Sequence, residues 1–431
     1  MAVDIKEMEA QVLKGEASIV DFYCAKVDRA YQRMLEKNPD LLWTVDIQKW
    51  TWDTIRDAHK NGKKIVAYGG SMPVEVFAAF DCVPFYLDII PFRTCTDTDI
   101  TAKFIDTAEK YVSASMCGLD KTELGACLCD AYGFEPDIFV YSSVPCDSSR
   151  VAYPAMEKIF KVPTFSFDLP FRRDDRGAEY LARQVEDLVE FMENATGTKC
   201  DWDRMKHFME LSNQIFDLQG KCAELRRHKP CPLPGRMLVM NGTTNAFPCF
   251  REMLDVYQHE YEAGQMMVEL GLGACPEEKY RVAMLQNMIW GNSKIMDWME
   301  REYNAVAVMD AFGFQGDIMY ENLDDRHDCY KVMGKRMQNN PMIHGASGPS
   351  CHHVELVDEI FKNYDPNVSM FLGHVGCKHT WASSKMLTDL IQEKYGLPTL
   401  FVDLDAIDGR YKGPEEIKSQ ISEYFETVVM K

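Results

Sequence analysis

Fifteen cysteines in a chain of 431 residues carry the most obvious chemistry. Thiols bind soft metals, join as disulfides or pack as small hydrophobes, and their spacing separates these uses. No two stand as Cys-x-x-Cys, so the common zinc-ribbon, bacterial-ferredoxin and thioredoxin-like patterns are absent. Cys127-x-Cys129 is the one close pair. Residues 123–130 read as helical, which turns the two side chains to different faces and makes them mostly core. Cys146 and Cys377 differ, because their surroundings repeat each other. Residues 137–146 read Asp-Ile-Phe-Val-Tyr-Ser-Ser-Val-Pro-Cys, and residues 368–377 read Val-Ser-Met-Phe-Leu-Gly-His-Val-Gly-Cys. Each is an apolar strand, a short turn and a cysteine two residues after a valine. A helix-like stretch follows in both. Then come Val162-Pro163-Thr164 or Leu397-Pro398-Thr399, a three-residue β run, and Asp168-Leu169 or Asp403-Leu404. A lone cysteine after a strand is ordinarily packing. Two in matched positions of a repeated unit are candidate metal ligands, at the strand ends where open parallel sheets bind ligands. Thiolates on distant loops can hold an iron–sulfur cluster, and three ligands on a four-iron cube leave one iron open to exchange.

These residues need elements to position them. Apolar residues at helical spacing over 7–14, 20–36 and 47–61 predict amphipathic helices, and Asn61-Gly62 is a stop signal. From Lys63 short β-rich runs at 65–68, 82–86, 138–141 and 164–167 alternate with helical stretches, the pattern of βαβ units and a parallel sheet. Residues 180–290 read as almost wholly helical, broken near Pro230, Pro232 and Pro234. Strand-like runs return at 305–309, 370–372 and 400–404. The predicted fold is α/β, with two Rossmann-like parallel-sheet domains, a helical segment between them and N-terminal helices. The expected divisions are 1–62 for the N-terminal helices, 63–179 for the first α/β domain, 180–295 for the helical segment and 296–431 for the second α/β domain. The Trp-rich N-terminal helices are expected to cover a sheet edge or a subunit contact.

Charge bounds the partners. Forty-seven basic against sixty-seven acidic residues give a net charge of −20, the wrong sign for nucleic acid or an anionic membrane surface. No uncharged apolar run approaches the ~18 residues of a membrane span. Residues 1–17 alternate acids with lysines and lack an apolar signal segment; with an odd number of cysteines, this argues against a disulfide framework. The sequence predicts a soluble, cytoplasmic chain, and its 26 methionines suit a reducing, oxygen-poor cell.

Several strings together carry a resemblance. The segments ending in Cys146 and Cys377, with Ser115-Met116-Cys117-Gly118 upstream, resemble the three cluster-ligating cysteine stations of the 2-hydroxyacyl-CoA dehydratase and benzoyl-CoA reductase family. Val66 to Val76 is similar to the family's strand, turn and Pro-x-Glu helix start. Arg227 to Pro232 is similar to its Lys-Pro-x-Pro turn, and Asp408-Gly409-Arg410 to a late Asp-Pro-Arg. The resemblance runs from Lys63 to the C-terminus. It implies an oxygen-sensitive iron–sulfur component holding a 4Fe-4S cluster on Cys117, Cys146 and Cys377, paired with a homologous subunit and supplied with low-potential electrons by a separate ATP-hydrolysing activator. It also implies an acyl-CoA substrate. The dehydratases expel a 2-hydroxyl as water through a ketyl radical, and the reductases send electrons into an aromatic thioester. A third branch holds an 8Fe-9S double-cubane cluster in a homodimer and reduces small molecules. The reading adopted is a 2-hydroxyacyl-CoA dehydratase-like subunit, a hydro-lyase, with a reductase of the same family as the alternative. An electron-carrying subunit whose partner does the chemistry is the other class.

The chain departs from the dehydratase pattern at four places. The glycine turn is one residue shorter, so Gly70 and Ser71 compete for the family's substrate-side serine, and Ser71 is the candidate catalytic residue. Tyr86-Leu87-Asp88 stands in place of Tyr-Pro-Glu, His374 to Lys378 in place of Asn-Arg-Ser-Cys-Lys, and Asp403 to Asp408 in place of Gly-Asp-x-x-Asp-Pro. Ser71 has a second reading, as the cap of the helix beginning at Pro73. Gly69-Gly70-Ser71 lacks the Gly-Lys-Ser/Thr ending of a Walker motif, consistent with another protein handling ATP. His352-His353 beside Cys351 invites zinc but lacks a second close ligand pair. Residues 345–349, around Ser347, read as a turn. Lys378 and His379 are candidate hydrogen-bond donors to a cluster sulfur, or solvated helix-start residues.

Overall fold

The structure is a computed structural model and describes residues 4–239, 247–287, 289–312, 318–343 and 348–431, with only the backbone of Asn287. The turn expected around Ser347 lies outside the described residues. Helices α1 (Ile5–Lys14), α2 (Ile19–Lys37) and α3 (Trp43–Asp57) open the chain. The first two are capped by Asp4 and Ser18, whose side chains accept backbone N–H bonds. Buried Phe22, Trp52 and Ile55 share one core with Ile65, Ala67, Val83 and Phe85. These helices therefore cover a face of the first sheet rather than only its edge.

That sheet holds β1 (Ile65–Gly69), β2 (Val83–Tyr86), β3 (Ile138–Ser142) and β4 (Thr164–Phe167) in the order β2-β1-β3-β4. A second sheet holds β5 (Tyr280–Asn287), β6 (Ala305–Asp310), β7 (Val368–His374) and β8 (Thr399–Leu404) in the order β6-β5-β7-β8. All the pairings are parallel. The inner strands β1 and β7 are buried at every position, as both-face coverage requires, whereas the edge strands β4 and β8 are partly open. The two sheets have one topology. In each, the chain leaves the first strand toward one side and returns to the other, so the direction reverses between β1 and β3 and between β5 and β7. Ligands bind beyond the carboxyl ends of strands at such reversals.

One expectation is corrected. The segment 180–295, read as helical, contains α9 (Asp175–Thr196), α10 (Trp202–Leu225) and α11 (Arg251–Glu269), but it also contains β5, a central strand of the second sheet. The run Val282-Ala283-Met284-Leu285 is fully buried. A short apolar run has no periodicity to separate strand from helix, and Ala, Met and Leu favour helix; burial between two strands decides. Later in the chain, α13 (Arg326–Asn339) packs on α9. Its Met333 and Met337 join Val66, Tyr68 and Val140 in the core on the other face of the first sheet. The two sheets are thus tied by chain that crosses between them. No described helix is long and apolar enough to cross a membrane.

A candidate metal centre between the two sheets

Three helices begin around one cavity of about 220 Å³. They are α7 (Gly118–Leu128), α8 (Ser149–Phe160) and α15 (Lys378–Tyr395). Cys117 and Cys377 occupy the residue before α7 and α15, and Cys146 stands just before α8. Helix N-termini direct unpaired N–H groups and a positive dipole end outward, which favours anionic sulfur. The Ser149 N–H donates to Cys146 Sγ at 3.4 Å, and the Cys117 N–H donates to Ser148 Oγ at 3.2 Å. Cys146 follows β3 and Cys377 follows β7, the matched reversal strands of the two sheets, so the repeated strings in the sequence converge in space.

All three cysteines line the cavity. Burial pushes the Cys117 thiol well above its ordinary value, and Asp120, Cys146 and Cys377 push it further. Burial likewise raises Cys146, with Asp120 adding to it, and raises Cys377. Such thiols hold their protons until a cation replaces them, so metal loading would release protons. Three sulfurs clustered on one cavity suit a thiophilic centre.

The imidazole of His374 belongs to this arrangement. Its Nδ1 accepts the Ala406 N–H at 3.1 Å, and its Nε2 lies 3.2 Å from Cys117 Sγ. Burial favours the neutral ring, against the opposing charge of Asp405. Lys378 and His379 turn instead toward Asp147, at 3.2 and 3.6 Å. Of the two readings of Lys378 and His379, the structure turns both side chains to a carboxylate, and the ring nitrogen that lies beside a cavity sulfur is that of His374.

Gly70, at φ +80°, shapes the turn after β1, and a β-carbon there would lie 2.7 Å from Ser142 Oγ. Ser71 follows on the cavity wall, half-buried. Helix α4 (Val74–Ala79) has no side-chain cap bond, so the structure does not use Ser71 as its cap. Of the two competing positions, only Ser71 brings a hydroxyl to the cavity that the cysteines line.

Sequence reasoning missed a group of buried acids behind the sulfurs. Asp88 Oδ2 accepts from Tyr86 Oη at 2.6 Å, and Oδ1 from Tyr153 Oη at 3.5 Å. Burial raises the carboxyls of Asp88 and of Glu123, and Asp88 raises Glu123 further. Asp120, 3.9 Å from Cys146 Sγ, is raised to about 7 by burial and by Asp88. Asp88 and Asp120 line the cavity, so two carboxyls whose affinity for a proton is raised by burial face it. The only signal in the sequence was that Asp88 replaces a family glutamate.

Elsewhere the close cysteine pair is core. Cys127 is buried and Cys129 packs against the same core. His353 turns inward to Ser383 Oγ at 2.9 Å, whereas Cys351, His352 and Glu355 bring ligand atoms within 4.8 Å of one another toward the surface. The late acidic segment is used locally: Asp403 pairs with Lys412 at 2.6 Å, and Asp405 Oδ1 accepts the Ile407 and Asp408 N–H groups at 2.9 Å each.

Two α/β units of one topology, with matched strand-end cysteines on a shared cavity, define the class of protein. The family model described as "2-hydroxyglutaryl-CoA dehydratase, D-component" matches residues 70–428, and the chain belongs to that family. It is 20% identical to a benzoyl-CoA reductase chain of Thauera aromatica, over 69% of this chain and 71% of that one. It is 23% identical to the (R)-phenyllactyl-CoA dehydratase alpha subunit of Clostridium sporogenes, over 69% and 72%. It is 19% identical to the alpha subunit of the lactoyl-CoA dehydratase of Anaerotignum propionicum, over 66% and 68%. The resemblance seen in the sequence is borne out at the level of the family.

Proposed function

We propose that this chain is the iron–sulfur component of a low-potential acyl-CoA enzyme, with Cys117, Cys146 and Cys377 as ligands of a 4Fe-4S cluster. The observation that carries the reading is the convergence of these three thiols, from two sheets, at three helix N-termini on one cavity. A cluster held there supplies one-electron chemistry at low potential. The protein's own residues do the rest. The apolar walls exclude water, Ser71 presents a hydroxyl to the substrate oxygen, and the buried carboxyl of Asp120, raised to about 7, is placed to give a proton to a departing hydroxyl. That set of roles favours a 2-hydroxyacyl-CoA dehydratase subunit acting with a homologous partner and a separate ATP-hydrolysing activator in the cytoplasm. The similarity to the benzoyl-CoA reductase chain supports the second reading, a reductase of the same family. An 8Fe-9S cluster in a homodimer would be the third.

Ser71→Ala separates these. If the chain is a dehydratase, the variant keeps its iron and its melting temperature and loses turnover of a 2-hydroxyacyl-CoA in the activated system. Normal dehydration by Ser71→Ala would remove Ser71 from the mechanism, and reduction of an aromatic acyl-CoA by the unsubstituted protein in place of any dehydration would overturn the dehydratase assignment.

A further inference from the structure

His374 stands at the end of β7, three residues before Cys377, yet its ring faces the cysteine of the other half of the molecule. We infer that His374 is a positioning residue that donates an Nε2–H···S hydrogen bond to Cys117 and thereby raises the reduction potential of the centre; the inference rests on the ligand role proposed for Cys117.

The tautomer follows from the hydrogen bonds. A backbone N–H can only donate, so the Ala406 N–H at 3.1 Å makes Nδ1 an acceptor. A neutral imidazole with an acceptor at Nδ1 carries its proton on Nε2. That proton lies between Nε2 and Cys117 Sγ, 3.2 Å apart. The Ala406 N–H at Nδ1 argues against His374 as a metal ligand through Nε2. A ligating histidine gives its electron pair to the metal and donates its other ring N–H to an oxygen acceptor. Here Nδ1 receives the Ala406 N–H at 3.1 Å, and the Leu404 carbonyl is the ring's other backbone neighbour. Asp405, the nearby carboxylate, sits 3.7 Å from Nδ1, and its Oδ1 is engaged by two backbone N–H groups.

The ring is held firmly: His374 is 2% exposed. A donor fixed on a ligand sulfur stabilises the more negatively charged, reduced state of an iron–sulfur centre more than the oxidised one. The other polar side chains acting on Cys117 include the carboxyls of Asp120 and Asp405, neither of which offers a fixed N–H to its sulfur. His374 does.

The test is an EPR-monitored redox titration of the anaerobically purified protein, with iron and sulfide counted in each sample. His374→Leu is expected to retain cluster and shift its midpoint to a more negative value, and His374→Gln, which keeps an N–H of similar reach, to return toward wild type. An unchanged midpoint in a loaded His374→Leu protein would overturn the inference. A measurement on the unsubstituted protein stands beside it, in case the leucine variant does not load. With 15N-labelled histidine, pulsed EPR of the reduced centre is expected to show a weak nitrogen coupling that survives His379→Gln. A strong coupling of the kind a direct ligand gives, or none, would also overturn it. If the wild-type protein holds no iron and sulfide, the failure belongs to the proposed function, not to His374.

Discussion

A β-carbon added at Gly376 would lie 2.7 Å from Cα of Cys117. The turn after β7 in the second sheet and the start of α7 beside the first are therefore in backbone contact, and only the absence of a side chain permits it. This approach brings the thiols of the two halves onto one cavity.

Gly376→Ala should consequently part the two turns. Its expected effect is a large loss of iron and sulfide from the anaerobically purified protein, with secondary structure by circular dichroism unchanged. Iron content equal to wild type would show that the close approach is not needed for assembly.

Much of this arrangement was readable in advance. The echo between residues 137–146 and 368–377 reflects a repeated strand-turn-helix unit, and each sheet uses it at the same place, β3 to β4 and β7 to β8. Most strands announced themselves as β-branched or aromatic runs such as Ile138 to Tyr141. β5 did not, because its Ala-Met-Leu run favours helix in isolation and becomes a strand only by burial between β6 and β7. The site was legible where strand ends fix it, at Cys146 and Cys377. It was not legible at His374, whose partner Cys117 lies in the other half of the chain, or at Asp120 and Glu123. These acids look like the solvated face of a helix in sequence, and tertiary packing encloses them.

Glu300 gives a pH dependence remote from the cavity. Its Oε1 accepts the Gly235 N–H at 2.7 Å in a buried setting, and burial raises the carboxyl to about 7. The folded protein thus binds this proton more tightly than the unfolded chain. The stability it contributes is full below the ordinary carboxyl value of 4.5 and is lost as pH rises through about 7. Glu300→Gln keeps an acceptor for Gly235 without the charge. Thermal unfolding should show the variant more stable than wild type at pH 8, by at most roughly 3 kcal/mol, with no such gain at pH 4.5. A gain of equal size at both pH values would contradict a titrating Glu300.

The central claim is that Cys117, Cys146 and Cys377 together hold an iron–sulfur cluster. The most direct measurement counts iron and acid-labile sulfide in anaerobically purified wild-type protein, in each of the three single cysteine-to-alanine variants, and in Cys200→Ala and Cys222→Ala as controls. Cys222 is buried in a small apolar cluster and Cys200 packs against the core beside α9. The account predicts a cluster in wild type and both controls and its loss in each of the three cavity variants. Full retention of iron and sulfide in Cys146→Ala would contradict it.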